Sequence, residues 1–209
     1  MAKKVTISLM ALAFAGLLIA LNAQLRAEAP EPSIVPKSWT LDFSHSKPQP
    51  IALRTLKGEI QWYWYMTYKV ENNTGEDLLF IPDITIANDQ GQILTSNQNV
   101  PSKTFKAIQD RERNPLLLSP PSIIGRLLQG ADFAKESVAI WPHNAKDDIT
   151  DLTIFVAGLS GETATIKHPS TDETVVLRKS LMISYQTPGN LMHPQRQAFI
   201  PHGTTWIMR

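Results

Sequence analysis

The sequence predicts a mostly β protein, an antiparallel β-sandwich with one short helix insertion. Three observations predict it. Apolar and polar residues alternate with period two in several segments, most clearly over residues 59–70. Turn-forming residues separate these segments at short intervals, as in sandwiches. The composition, 43% hydrophobic and 19% charged, is that of a globular chain. Because neither a repeat nor a second composition block interrupts it, we expect a single domain over residues 38–209.

The N-terminus predicts export. A positively charged start is followed by an apolar run over residues 5–21 and a small, polar stretch over 22–29, the order of a cleavable Sec-type signal peptide. Cleavage after Ala27 or Ala23 is expected, which places the signal at 1–27 and the mature protein in the periplasm or outside the cell, off the membrane. An uncleaved anchor is the alternative, because a run of about 17 residues is near the lower limit for spanning a bilayer.

The next segments predict a tether and a first strand. Residues 28–37 contain three prolines and should form an extended, Pro-rich tether. Period-two alternation over 39–43 predicts the first strand, and the residues from Ser44 to Pro50 are expected to end it.

The segment 59–70 predicts a central strand. Trp62 and Trp64 fall on one face, where we expect both to be buried, and Tyr63 and Tyr65 fall on the other. Two interpretations of the tyrosines stay open. They lie under another segment, for which the predicted helix is the candidate, or they form an exposed aromatic patch that binds a ligand.

The remaining elements follow from turn and helix signals. A polar turn over 71–77 includes Asn72, which heads a glycosylation sequon that we expect to serve only as a turn. A strand over 78–87 contains Pro82, which indicates an edge or a bulge. A proline start and helical spacing predict one surface helix over 101–113. Further strands are predicted over residues 92–95, 123–128, 137–141, 152–159, 174–186 and 204–208.

Charge and composition exclude several classes of function. The chain has 20 basic and 19 acidic residues, and removal of the three basic residues of the signal leaves 17 basic and a net charge of −2. Without a run of Lys or Arg, a nucleic-acid partner is not expected. The chain has no cysteine, which excludes disulfides, thiol catalysis and a lipid anchor on cysteine.

Motifs for chemistry are missing as well. The five histidines have no metal-ligand spacing, and no phosphate-binding glycine loop is present, so no cofactor is expected. Residues 158–161 begin like a nucleophile elbow, but Glu162 replaces the final glycine, and a turn between strands is expected there. We therefore predict no catalytic residue.

One acidic group offers a metal-binding alternative. Asp147, Asp148 and Asp151 gather just before a predicted strand, and carboxylates on loops are ligands for Ca²⁺. Aspartates are also ordinary turn formers, so a solvated turn is the competing interpretation.

The aromatic strand Trp64–Val70, the stretch Glu71–Asp77 and the later Asp89-Gln90-Gly91 resemble bacterial extracytoplasmic immunoglobulin-like domains of unknown function. Residues 127–130, 138–141 and 152–156 are similar to the closing strands of such domains. The resemblance covers roughly residues 59 to 160. It implies an immunoglobulin-like sandwich with an adhesive, scaffolding or ligand-sensing role, and it brings no catalytic residues.

Together these observations predict a non-enzymatic exported module that binds a protein or another component of the cell envelope. The alternative is an accessory protein that binds carbohydrate through Tyr63 and Tyr65 or Ca²⁺ through the aspartates. An enzyme of unfamiliar type ranks third.

Overall fold

A computed structural model describes five stretches of the chain, residues 29–55, 57–143, 149–168, 170–186 and 199–209. The predicted signal at 1–27 lies outside them. The described residues from Pro32 to Arg209 form one compact unit, and residues 29–31 have no regular secondary structure. Within these stretches, no helix is both long and apolar enough to cross a bilayer.

The described residues form twelve strands, one 3-10 turn at Ala131–Phe133 and one α-helix, α1, at Ser102–Glu112. The strands are β1 (Asp42–His45), β2 (Gln49–Arg54), β3 (Ile60–Glu71), β4 (Leu78–Phe80), β5 (Asp83–Asn88), β6 (Ile93–Thr95), β7 (Gly125–Leu127), β8 (Lys135–His143), β9 (Asp151–Ala157), β10 (Thr163–Lys167), β11 (Thr174–Gln186) and β12 (Ile200–Met208). All strand pairs are antiparallel. The predicted mostly β, antiparallel fold with one short helix is confirmed.

Two large sheets and one small sheet organise these strands. In the first, β3 is central: β8 pairs with one edge, and β1 and β2 pair with successive parts of the other. In the second, β9 lies between β5 and β11, with β6 outside β5. Strand β11 also pairs with β10 and β12. Strands β4 and β7 form a separate two-stranded sheet.

The main core lies between the two large sheets. Inward-facing residues of β3 and β8 pack with those of β5, β9 and β11, which makes the arrangement a sandwich. Trp64 is 3% exposed, as predicted. Trp62, predicted to be buried with it, is only partly buried. The reason is its position: it pairs with His143, the last residue of β8, so the neighbouring strand ends beside it.

The predicted strand over 78–87 is wrong as a single element. It divides at residues 81–82 into β4 and β5, which belong to different sheets. Pro82 has no N–H to donate to a ladder. The carbonyl of Ile81 also lies against the backbone of Gly158, where a Cβ would be 2.4 Å from the Ile81 oxygen. The chain therefore leaves one sheet and enters the next at this point.

The N-terminal end of the sandwich also differs from expectation. The predicted break at Ser44 to Pro50 is shorter than expected, because β2 already begins at Gln49. Pro50 is compatible with this strand because β2 lies at the edge of its sheet. The predicted first strand is displaced from 39–43 to Asp42–His45.

Two polar contacts fix loops of the sandwich. The buried side chain of Asn72 donates to the carbonyls of Glu76 and Leu127, and its oxygen accepts from Thr74, so the turn after β3 is closed from inside. Ser33, in the predicted tether, donates its N–H to the Glu162 carboxylate at 2.7 Å.

Candidate functional site

The two tyrosines of the aromatic-patch hypothesis are buried. Tyr63 is 5% exposed and Tyr65 is 0% exposed, because α1 packs over this outer face of the first sheet with Ile108 in the contact. The rings of Tyr63 and Tyr65 therefore do not form an exposed patch. The competing interpretation, in which the helix covers them, describes the observed packing.

Tyr65 also fixes the end of the helix. Its hydroxyl donates to Glu112 Oε1 at 2.6 Å, and the Arg111 guanidinium lies 5.6 Å from the ring centre. Burial, and then the Glu112 carboxylate, raise the pKa of the Tyr65 hydroxyl well above its ordinary value. The phenol therefore stays neutral and serves as a hydrogen-bond donor.

The proposed calcium ligands are only partly described. Asp147 and Asp148 lie outside the described residues. Asp151 begins β9, and its carboxylate accepts from the Thr150 hydroxyl, which also donates to Asp89 at 2.6 Å. This hydrogen bond lowers the pKa of Asp89. Among the described residues, no group of three His, Cys, Asp or Glu side chains is placed to hold a metal ion.

A polar cleft lies past the C-terminal end of α1. Its volume is about 260 Å³, and it is lined on the sheet side by Ser44, Lys69 and Glu136 and on the other side by Glu112 and Asn114. Glu112 already accepts from Tyr65, and Glu136 accepts from the Asn114 amide at 2.5 Å. Both carboxylates of the polar cleft are thus already hydrogen-bonded within the protein.

The hydroxyls and the histidine in this cleft do not form a catalytic pair. Ser46 Oγ donates to the Lys47 carbonyl and accepts from the Thr67 N–H. His45 Nδ1 lies 2.9 Å from the Ser46 carbonyl oxygen and 3.4 Å from the Tyr185 hydroxyl. Within the described part of the cleft, no serine or threonine hydroxyl bonds to the imidazole, which nucleophilic catalysis requires.

The small sheet of β4 and β7 exposes several aliphatic side chains to solvent. Alternation and the pairing of Leu79 with Arg126 turn one set of its side chains outward. Four of these are aliphatic and exposed, which we name the β4–β7 patch: Leu79 65%, Ile81 53%, Ile124 50% and Leu128 36%. On the same face Arg126, which pairs with Leu79 and lies between Ile124 and Leu128, forms an ion pair with Asp77 at 2.8 Å. The inward set, Leu78, Phe80, Ile123 and Leu127, belongs to the main core.

A second cleft lies past the N-terminal end of α1, between the helix and the β2–β3 hairpin. Its volume is about 540 Å³ and its wall is mainly apolar, with Leu53, Tyr63 and Pro101 among the lining residues. We name it the cationic cleft, because its rim includes Arg54, Lys57 and Lys103.

Comparison with protein-family models, with curated proteins and with solved structures finds no match for this chain. The resemblance to immunoglobulin-like domains stays a prediction.

Sequence reasoning missed both surfaces. The runs Leu78–Ile81 and Ile123–Leu128 are almost continuously apolar, which indicates strands buried on both faces. Only the topology shows that the small sheet has one covered face. The sequence gives even less indication of the cationic cleft, because Lys103 lies far along the chain from Arg54 and Lys57.

Proposed function

We propose that this chain is an exported, non-enzymatic binding module that docks a partner protein of the cell envelope through the β4–β7 patch. The observation that carries the proposal is the patch itself. Exposed aliphatic side chains grouped on one face of a sheet are unfavourable in water, and on soluble proteins large groups of this kind mark interaction surfaces.

The composition of the patch favours a protein partner. The aliphatic side chains of Leu79, Ile81 and Ile124 lie on the same face as the Arg126–Asp77 ion pair, and protein–protein interfaces combine apolar and charged groups in this way. Four side chains are fewer than the 20 to 30 residues, about 800 Å² on each partner, that a stable complex needs. The patch thus suits a short segment or a transient partner better than an obligate dimer.

The pairing of the small sheet supports an extended segment as the docked element. Among the described residues, β4 and β7 pair only with each other, which leaves the outer edge of each strand without a partner strand. A peptide that adds a strand to such an edge gains backbone hydrogen bonds, and its alternate side chains can cover the aliphatic patch.

Site-specific photo-crosslinking tests the proposal in cells that express the full chain. A photoreactive residue at Leu79 or Ile124 is expected to give a discrete adduct with an envelope protein. The matched control is the same residue at Val176, which is 58% exposed on β11 but remote from the small sheet in strand pairing. The adduct should be missing at Val176.

A charged substitution provides the second arm. Leu79→Asp should abolish the adduct formed from position 124, because burying a carboxylate under an apolar partner segment is costly. Since Leu79 is already exposed, the folded protein should lose no more than about 0.5 kcal/mol. Equal adducts from patch and control positions, or an adduct unaffected by Leu79→Asp in a folded protein, would contradict the proposal.

A further inference from the structure

The cationic cleft is a second surface, distinct from the β4–β7 patch. It lies on the outer face of the first sheet, at the N-terminal end of the helix, where Leu53 is only partly buried and Tyr63, 5% exposed, forms part of the lining. Its volume of about 540 Å³ falls within the range of small-molecule sites. The fold thus leaves an apolar wall open to solvent beside three exposed cations.

The charge of the cleft is unbalanced. Arg54, Lys57 and Lys103 contribute three positive charges, and Glu59 contributes one negative charge. Within the described stretches, none of the three cations has a carboxylate at ion-pair distance. Lys103 donates to the Arg54 carbonyl at 2.7 Å, and Arg54 donates to the Gly58 carbonyl at 3.3 Å, so the backbone holds these two side chains at the rim.

We propose that the cationic cleft binds an amphiphile with one alkyl chain and one anionic headgroup. The alkyl chain covers Leu53 and Pro101, and the headgroup lies among the three cations. Charge complementarity selects the anion: a neutral or cationic headgroup leaves the rim unpaired, and a bare inorganic anion leaves the apolar wall in water. The ligand chemistry is independent of the partner protein proposed above.

Titration calorimetry with short-chain detergents below their micelle concentrations tests the inference on the soluble mature chain. Decyl sulfate should bind about fivefold more tightly than decyl maltoside, which has the same chain and a neutral head, and decyltrimethylammonium should bind most weakly. Affinity for decyl sulfate should fall as salt screens the rim. It should rise from hexyl to decyl sulfate by up to about fourfold for each CH₂ group that becomes buried.

Two lysine variants separate the cleft from general surface charge. The double variant Lys57→Gln/Lys103→Gln should weaken decyl sulfate binding about fivefold. Lys106→Gln, a change on the same helix outside the cleft, should leave it unchanged, because Lys106 pairs with Asp110. All three lysines are exposed, so unchanged melting temperatures will show that the variants fold. Equal binding of all three detergents, inorganic sulfate binding as tightly as decyl sulfate, or equal effects of the two variants would overturn the inference.

Discussion

Glu162 and Lys179 form the one buried ion pair among the described residues, with side chains 6% and 9% exposed and the charged atoms 2.9 Å apart. The Ser33 N–H also donates to Glu162, and the Lys179 ammonium lies 5.3 Å from the Trp206 ring centre. Through these two bonds the Glu162 carboxylate connects Ser33, near the start of the compact unit, to Lys179 in the middle of β11. An enclosed pair is sensitive to the loss of either partner, because the remaining charge stays buried.

The pair predicts an acid-dependent loss of stability. The hydrogen bond from the Ser33 N–H, and then the Lys179 ammonium, lower the pKa of Glu162 from 4.5 to about 2. Because the pKa is lower in the folded state, the ionised carboxylate contributes its full stability above about pH 4.5, and the contribution is lost as the pH falls toward 2.

Melting curves of the wild-type protein and of Glu162→Gln check this expectation. The wild type should melt higher near neutral pH, and the difference should shrink below about pH 4.5 and close near pH 2. Glu76→Gln, which changes an exposed carboxylate, should show no such convergence. A difference between wild type and Glu162→Gln that stays constant down to pH 2 would show that the ion pair does not act in this way.

At the scale of elements, the crossing between β4 and β5 depends on a glycine that follows β9, the strand paired with β5. Gly158 follows β9 with φ at +87°, and a Cβ there would lie 2.4 Å from the Ile81 oxygen and 3.1 Å from its carbonyl carbon. Both obstacles are backbone atoms, so no side-chain rotation can relieve them. The close approach places the small sheet, and with it the β4–β7 patch, against the second large sheet.

Gly158→Ala should therefore be far more damaging than an alanine at another glycine of similar conformation. Gly91 is the matched control, because its φ is +77° and nothing lies within 4 Å of its Cβ position. Gly91→Ala should cost about 1–2 kcal/mol through the left-handed backbone alone. Gly158→Ala should cost at least about 2 kcal/mol more or prevent folding, as urea unfolding will measure. Similar midpoints for the two variants would rule out the close approach.

The elements that the sequence predicts best are those whose pattern does not run on into a second element. Strand β11 matches its predicted range of 174–186, and the helix over 101–113 differs by one residue at each end. Prediction failed where two elements share one apolar run, as at 78–87, because the change of sheet depends on a contact with Gly158 from a distant part of the chain. Local patterns contain no information on such a contact.

For the whole molecule, the testable claim is export. If the signal is cleaved after Ala27 or Ala23, the native protein begins at Glu28 or Gln24 and is found outside the cytoplasm. N-terminal sequencing of protein purified from its own cells, together with fractionation, decides this. A soluble cytosolic protein that begins at Met1 or Ala2 would contradict the claim.

The candidate surfaces of the whole molecule were less predictable than its fold. Apolar periodicity shows which residues can be buried, and for Trp64 it was sufficient. It does not show which apolar face lacks a covering layer, since exposed Leu79 and buried Leu78 belong to the same run. That difference arises only when all sheets are assembled.

The burial of Asn72 has a consequence for the choice of host cell in which this protein is produced. The residue begins the acceptor sequence Asn72-Asn73-Thr74, yet its side chain is 0% exposed and bonded on every side. In a eukaryotic secretory pathway, oligosaccharide is attached at such sequences. A sugar on this amide would remove a donor from the Glu76 and Leu127 carbonyls and would have no space inside the turn. A molecule glycosylated at Asn72 would therefore be unable to fold, and a folded molecule would carry no sugar there.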